Sequence, residues 1–114
     1  MTIDLPISIN AMYKTTKQGG FYKATAAKNW IDMAGWDIKK QNRNKCITSP
    51  VYVGITMYVS RDRDVDSGIK PLLDLLQTQR VYENDSQVVH LNVRKVRVKK
   101  GDERCELVVE PTDL

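Results

Sequence analysis

The sequence predicts an α+β domain in which a mixed or antiparallel sheet is flanked by two helices. Three observations carry this prediction. Residues 51–59 alternate strictly between apolar and other side chains. Two segments, near 23–41 and 67–79, repeat their apolar residues at helical spacing. Two further alternating runs, near 88–98 and 105–109, close the chain. At 114 residues one domain spanning 1–114 is expected.

Thr2 to Ile7 reads as a short first strand ended by Pro6, and the polar stretch from Ser8 to Gly19-Gly20 as a loop or irregular hairpin. From Lys23 to Gln41, Ala27, Trp30, Ile31, Ala34 and Ile38 form one apolar stripe, with Lys28, Asp32, Lys39 and Lys40 outside it. Gly35 weakens this helix by up to about 1 kcal/mol relative to alanine. Trp30 and Trp36 read as core or interface anchors rather than base-stacking platforms. Val51, Val53, Ile55, Met57 and Val59 form the inward side of the next strand. Ile69, Leu72, Leu73 and Leu76 mark the buried face of the second helix, with Pro71 in its first turns, where a missing N–H matters least. Val89, Leu91 and Val93 alternate before the apolar phase slips to Val96 and Val98, which predicts a bulge near Arg94-Lys95. Lys100-Gly101-Asp102 reads as a hairpin turn into a returning strand with Cys105, Leu107 and Val109 inward.

Composition narrows the function classes. The net charge of +4 and pI near 9.1 favour a polyanionic partner. Residues 1–50 carry eight Lys/Arg against three acids, and Arg94, Lys95, Arg97, Lys99 and Lys100 form a second basic cluster. Residues 61–85 hold six acids and four bases between these basic regions. Cys46, Cys105 and the single His90 lack the ligand number and spacing of a zinc site, so two reduced thiols are expected. The apolar runs are too short to cross a membrane. MTIDLPISIN has neither a basic start nor an apolar stretch, so no secretory signal is expected and the location is expected to be cytoplasmic.

The acidic focus carries the chemistry. Asp64 and Asp66 are two apart at a strand end, so both carboxylates can share a face. Lys70 follows four residues later, and Asp85 arrives in the polar loop Glu83-Asn84-Asp85-Ser86. Three converging carboxylates suit Mg²⁺, a hard cation that prefers oxygen, and a lysine beside them can stabilise a phosphoryl transition state. The same residues also have plain structural roles open to them. Asp66 can cap the helix, Lys70 can pair with Asp74, and Asp85 can be a turn residue.

The run RDVDSGIKPLLDLLQ followed by VYENDSQVVHLNVRKVRVKKG resembles the signature region of RusA-type crossover-junction endodeoxyribonucleases. Arg63, Asp64, Asp66, Lys70, Pro71 and Asp85-Ser86-Gln87-Val88 carry the likeness. Ser8, Asn10, Tyr13 and Lys14 match the family's S-x-N-x-x-Y-R element, and Lys95 falls where the family usually has lysine. Three features depart from the pattern: Ser67-Gly68 replaces a usual asparagine after the second aspartate, Lys14 replaces arginine, and Asn84 stands where some members have an acid.

The resemblance implies a homodimer that resolves four-way (Holliday) DNA junctions by paired symmetric nicks, using Mg²⁺ with Mn²⁺ as a substitute and no small-molecule cofactor. It makes Asp64, Asp66 and Asp85 the metal ligands and catalytic acids of the site, with Lys70 the catalytic residue that assists at the phosphate. Arg63, Lys95, Asn10, Tyr13 and Lys14 become the DNA-backbone contacts. Two alternatives accompany this reading: a non-catalytic junction- or DNA-binding module, and a nuclease of the same fold acting on other branched DNA. Trp30, Trp36 and the tyrosines are candidates for the dimer interface.

Overall fold

The computed structural model describes residues 1–6, 13–15, 21–23, 25–42 and 46–113. Its elements are β1 (Thr2–Ile3), β2 (Tyr13–Thr15), β3 (Phe21–Lys23), α1 (Thr25–Gln41), β4 (Val51–Val59), α2 (Ile69–Thr78), a 3-10 turn (Asp85–Gln87), β5 (Val88–Arg97) and β6 (Arg104–Pro111). The main sheet has the order β1-β6-β4-β5, and β2 pairs with β3 in a separate two-stranded sheet. β5 runs parallel to β4, whereas β6 runs antiparallel to it, so the sheet is mixed as expected.

β4 is the spine of the molecule. Val51, Val53, Ile55, Met57 and Val59 are all buried, and the intervening residues are half-buried. Those five meet Trp30, Ala34 and Ile38 of α1 and Leu72, Leu75 and Leu76 of α2 in one core. Both helices therefore cover the same sheet face. Gly35 has a packing reason: a Cβ there would lie 2.8 Å from Gln79 Nε2 and 3.4 Å from Leu75 Cδ1, so its absence lets α1 approach α2. Among the described residues, no helix is long and apolar enough to cross a membrane.

Three expectations need correction. The turn at Lys100-Gly101 exists, with Gly101 at φ 102°, but it does not close a hairpin. β4 lies between β5 and β6, because its fully apolar inner face is best buried in the middle of the sheet. The register shift in β5 falls at its start, where Val51 faces Val88 and Tyr52 faces His90, and not near Arg94-Lys95. The apolar slip to Val96 reflects exposure instead, since most of this edge strand is open to solvent. Leu75, rather than Leu73, completes the buried stripe of α2. Of the two readings open for Trp30, core or interface anchor, the structure supports the core: it is 7% exposed, with its indole N–H donating to the Asp4 carbonyl at 3.1 Å.

Candidate active site

The site is built on the two ends of the β4–α2–β5 crossover. Residues 60–68 leave β4 in tight turns: Ser67 N donates to Asp64 O at 3.0 Å, and Ile69 N to Asp66 O at 3.3 Å. Gly68 then starts α2 in the left-handed region, at φ 87°. A Cβ on Gly68 would lie 2.9 Å from both Cβ and Cγ of Pro6, so glycine is demanded by conformation and by space. The helix cap is Gly68, with no side-chain cap bond, and Asp66 does not serve as the expected cap.

This loop is tied from outside itself. Arg63 Nη2 donates to Pro6 O at 2.9 Å, to Ser67 O at 3.0 Å and to Ser67 Oγ at 3.0 Å. Burial lowers the Arg63 pKa from its usual value, and its Nε is buried without a hydrogen-bond partner. Lys95 Nζ donates to Arg63 O at 2.6 Å and to Asp62 Oδ1 at 3.1 Å. That ammonium holds the Asp62 carboxyl below its ordinary pKa, first by the hydrogen bond and then by charge. Two of the five residues expected to contact DNA, Arg63 and Lys95, are thus engaged within the protein.

The second wall is the turn before β5. Asn84 Oδ1 accepts from Ser86 N, and Gln87 Oε1 accepts from the N–H groups of Glu83 and Asn84, each at 2.9 Å. Gln87 Nε2 reaches across to Ile47 O and Ser49 O at 2.9 and 2.8 Å. Asp85 N donates to Gln77 Oε1 on α2. Behind it the buried Tyr82 hydroxyl donates to Leu73 O at 2.7 Å, and burial pushes its pKa up. Asn84 therefore works as a cap, which gives this residue a local reason where an acid would also have been compatible with the family pattern.

The structure brings Lys70 and Asp85 together: Nζ is 2.7 Å from Asp85 Oδ2 and 3.0 Å from Asp74 Oδ1. The hydrogen bond to Asp85, then that to Asp74, raises the Lys70 pKa. Asp64 and Asp66 are exposed, and among the described residues their carboxylates make no hydrogen bond or ion pair. Also among the described residues, no group of three His, Cys, Asp or Glu is placed to hold a metal ion. Asp85 is instead paired with Lys70. The donor chemistry still fits a hard cation, with two unpaired carboxylates and a third held by one oxygen. Asn10 lies outside the described residues, and Tyr13 and Lys14 fall in β2.

An open cleft of about 470 Å³ adjoins the loop, lined in part by Arg61, Arg63, Ser67 and Lys100. Asp64, Asp66 and Asp85 do not line it. Their place on an exposed surface suits a large substrate that arrives from outside better than an enclosed small molecule.

Residues 5–110 match the model of the family described as endodeoxyribonuclease RusA. The chain belongs to this family. The RusA assignment is supported by a relative from Aquifex aeolicus (strain VF5) named crossover junction endodeoxyribonuclease RusA. It is 28% identical over 109 residues, covering 94% of this chain and 86% of the relative. RusA membership makes the chain a nuclease in class. The matched span runs from the residue before Pro6 through most of β6.

Sequence reasoning missed Ser67, Asn84 and Gln87 as organisers of the site. The signal for Asn84 and Gln87 was present, since Asn three residues before Gln is a capping-box spacing. Ser67 had no such signal, because its partner Arg63 is recognisable only once the turn is folded.

Proposed function

We propose that this RusA-family chain is a Mg²⁺-dependent, structure-selective endodeoxyribonuclease that acts as a homodimer on four-way DNA junctions. The observation that carries the reading is the Lys70–Asp85 contact at 2.7 Å together with a braced loop presenting the exposed Asp64 and Asp66. Asp64, Asp66 and Asp85 would hold the metal, with Mn²⁺ a chemically reasonable substitute. When bound, the ion lowers the pKa of water and neutralises charge on the leaving oxygen. Lys70, kept protonated by two carboxylates, orients the scissile phosphate and offsets charge that develops on it. Asn10, Tyr13, Lys14 and the exposed cations of the sheet edge would contact the DNA backbone, which makes binding strongly salt-dependent.

A homodimer fits the substrate, because an isologous pair presents two equivalent sites to two equivalent strands. The cytoplasm suits two free cysteines; burial pushes Cys105 up to about 12, so that thiol stays protonated. Ser67-Gly68 does not argue for lost activity, since Ser67 is bonded to Arg63 and Gly68 fits against Pro6.

The test is incubation of wild type and Asp66→Asn with a synthetic four-way junction and a linear duplex, with and without Mg²⁺. Paired nicks in the junction alone, lost in Asp66→Asn and without Mg²⁺, are expected. Binding without cleavage under all metals would mean a non-catalytic junction-binding module. Equal cutting of the linear duplex would defeat junction selectivity.

A further inference from the structure

We infer that Lys95 is a positioning residue that pins the carboxylate-bearing loop to β5, a role distinct from contacting a DNA phosphate. The inference rests on the endonuclease reading for its functional consequence, but its structural content stands apart from it.

Lys95 lies opposite Met57 in the parallel β4–β5 register, on the sheet face that carries the core. From there its side chain passes β4 to the first residues after that strand. A lysine ammonium has three donors. Two of them meet Arg63 O at 2.6 Å and Asp62 Oδ1 at 3.1 Å. The two bonds differ in weight. Asp62 is 93% exposed, so its ion pair with Lys95 is screened by water and contributes little. The Arg63 carbonyl belongs to the backbone, and its bond to a cation is charge-assisted.

The location of that carbonyl gives the bond its meaning. Arg63 O is the peptide oxygen joining Arg63 to Asp64. Four residues on, the Arg63 side chain grips Ser67 O and Oγ, and through Pro6 O it ties the same point to the segment after β1. The stretch carrying Asp64 and Asp66 is therefore clamped at both ends, by Lys95 before it and by Arg63 after it. Among the described residues each carboxylate is left without a partner while its backbone is held. Fixing such a loop before the ion arrives removes ordering entropy from the binding step, and productive geometry tolerates only about 0.5 Å of looseness. A lysine serving mainly as a phosphate contact would leave its ammonium in solvent. The strand neighbour Arg94, by comparison, bonds a Thr56 hydroxyl at 3.2 Å on the opposite face.

Lys95→Met in the full chain separates the two roles through three measurements. The positioning role predicts that amides of 61–68 exchange about tenfold faster, while those of α1 and β6 are unchanged. It predicts Mn²⁺ binding, read by paramagnetic resonance, weakened about tenfold. It also predicts that the slope of log junction affinity against log salt, measured without metal, stays at the wild-type value. Unchanged exchange in 61–68 with that slope reduced by about one would overturn the inference in favour of a phosphate contact. Lys95→Arg covers the case in which the methionine variant fails to fold. Its bulky planar fork keeps the charge but replaces the point donor, so partial loss of protection at 61–68 with an unaltered slope is expected, and wild-type protection would overturn the inference. If wild type cuts no junction, the endonuclease reading fails, while the exchange measurement still decides the role of Lys95.

Discussion

The two segments that supply the site's acids are organised differently. The loop from 61 to 68 is held by distant partners: Arg63 reaches Pro6, and Lys95 comes from β5. The turn from 83 to 87 is built around a reciprocal local cap between Asn84 and Gln87, and bonds to Gln77, Ile47 and Ser49 then anchor it. The acids differ in the same sense. Asp64 and Asp66 project without partners among the described residues, whereas Asp85 is bound by Lys70. The contrast separates two requirements of a cation site. Ligands must be available, which the first loop provides, and the site must stay tolerable when no cation neutralises it, which Lys70 provides by answering the charge of Asp85 and Asp74.

Removing Lys70 should break this division most severely. Lys70→Met is expected to slow junction cleavage at least about a hundredfold, in keeping with loss of a group that stabilises transition-state charge. Its effect on stability should stay under about 1 kcal/mol, because the lysine side chain is exposed and surface ion pairs contribute little. Single-turnover cleavage and urea denaturation of the same preparation measure the two. A large loss of stability with cleavage intact would make Lys70 a structural residue and return Asp85 to the status of a turn acid.

The next effect tests where each segment gets its rigidity. Gly68→Ala forces a side chain into a left-handed residue and against Pro6, so destabilisation of about 1–3 kcal/mol is expected. Gln87→Leu leaves the carbonyls of Ile47 and Ser49 and the amides of Glu83 and Asn84 without their side-chain partner. It should cost about 1–2 kcal/mol, less than a fully buried network would, because water reaches part of the turn. Hydrogen exchange should show Gly68→Ala loosening 61–68 together with the chain around Pro6, and Gln87→Leu loosening 83–88 together with 47–49. Crossed patterns would mean that the two segments form one cooperative unit.

The same contrast explains what the sequence allowed to be read. β4 was legible because five alternating apolar residues admit one buried face, and α1 because its stripe repeats at helical spacing. The position of β4 between β5 and β6 was not legible. A local turn signal at Gly101 cannot reveal whether the strands beside it pair with each other or with a third strand. Within the site, Lys70 and Asp85 were recognisable as residues, and their contact required only that the crossover bring α2 back along the turn. The internal bonds of Arg63 and Lys95 were not legible, because both read simply as cations in a basic protein. Their inward hydrogen bonds depend on carbonyl positions 57 and 32 residues away, which no local pattern encodes.

The smallest expected effect concerns acid pH, and it isolates the weaker half of the Lys95 clamp. Asp62 has its pKa lowered in the folded chain by Lys95, so the folded state favours its charged form. Its contribution is complete above the ordinary carboxylate value of 3.8 and fades as pH falls through the lower folded value. Asp62→Asn should therefore narrow the stability gap from wild type only below about pH 4, with little difference at the acid extreme. At neutral pH the gap should be slight, since Asp62 is almost fully exposed. Chemical denaturation of both proteins from pH 2 to 7 measures this. A gap that persists unchanged to pH 2 would show that Asp62 acts through its shape or its backbone, and the burden of holding the loop from this side would then rest on the bond from Lys95 to the Arg63 carbonyl alone.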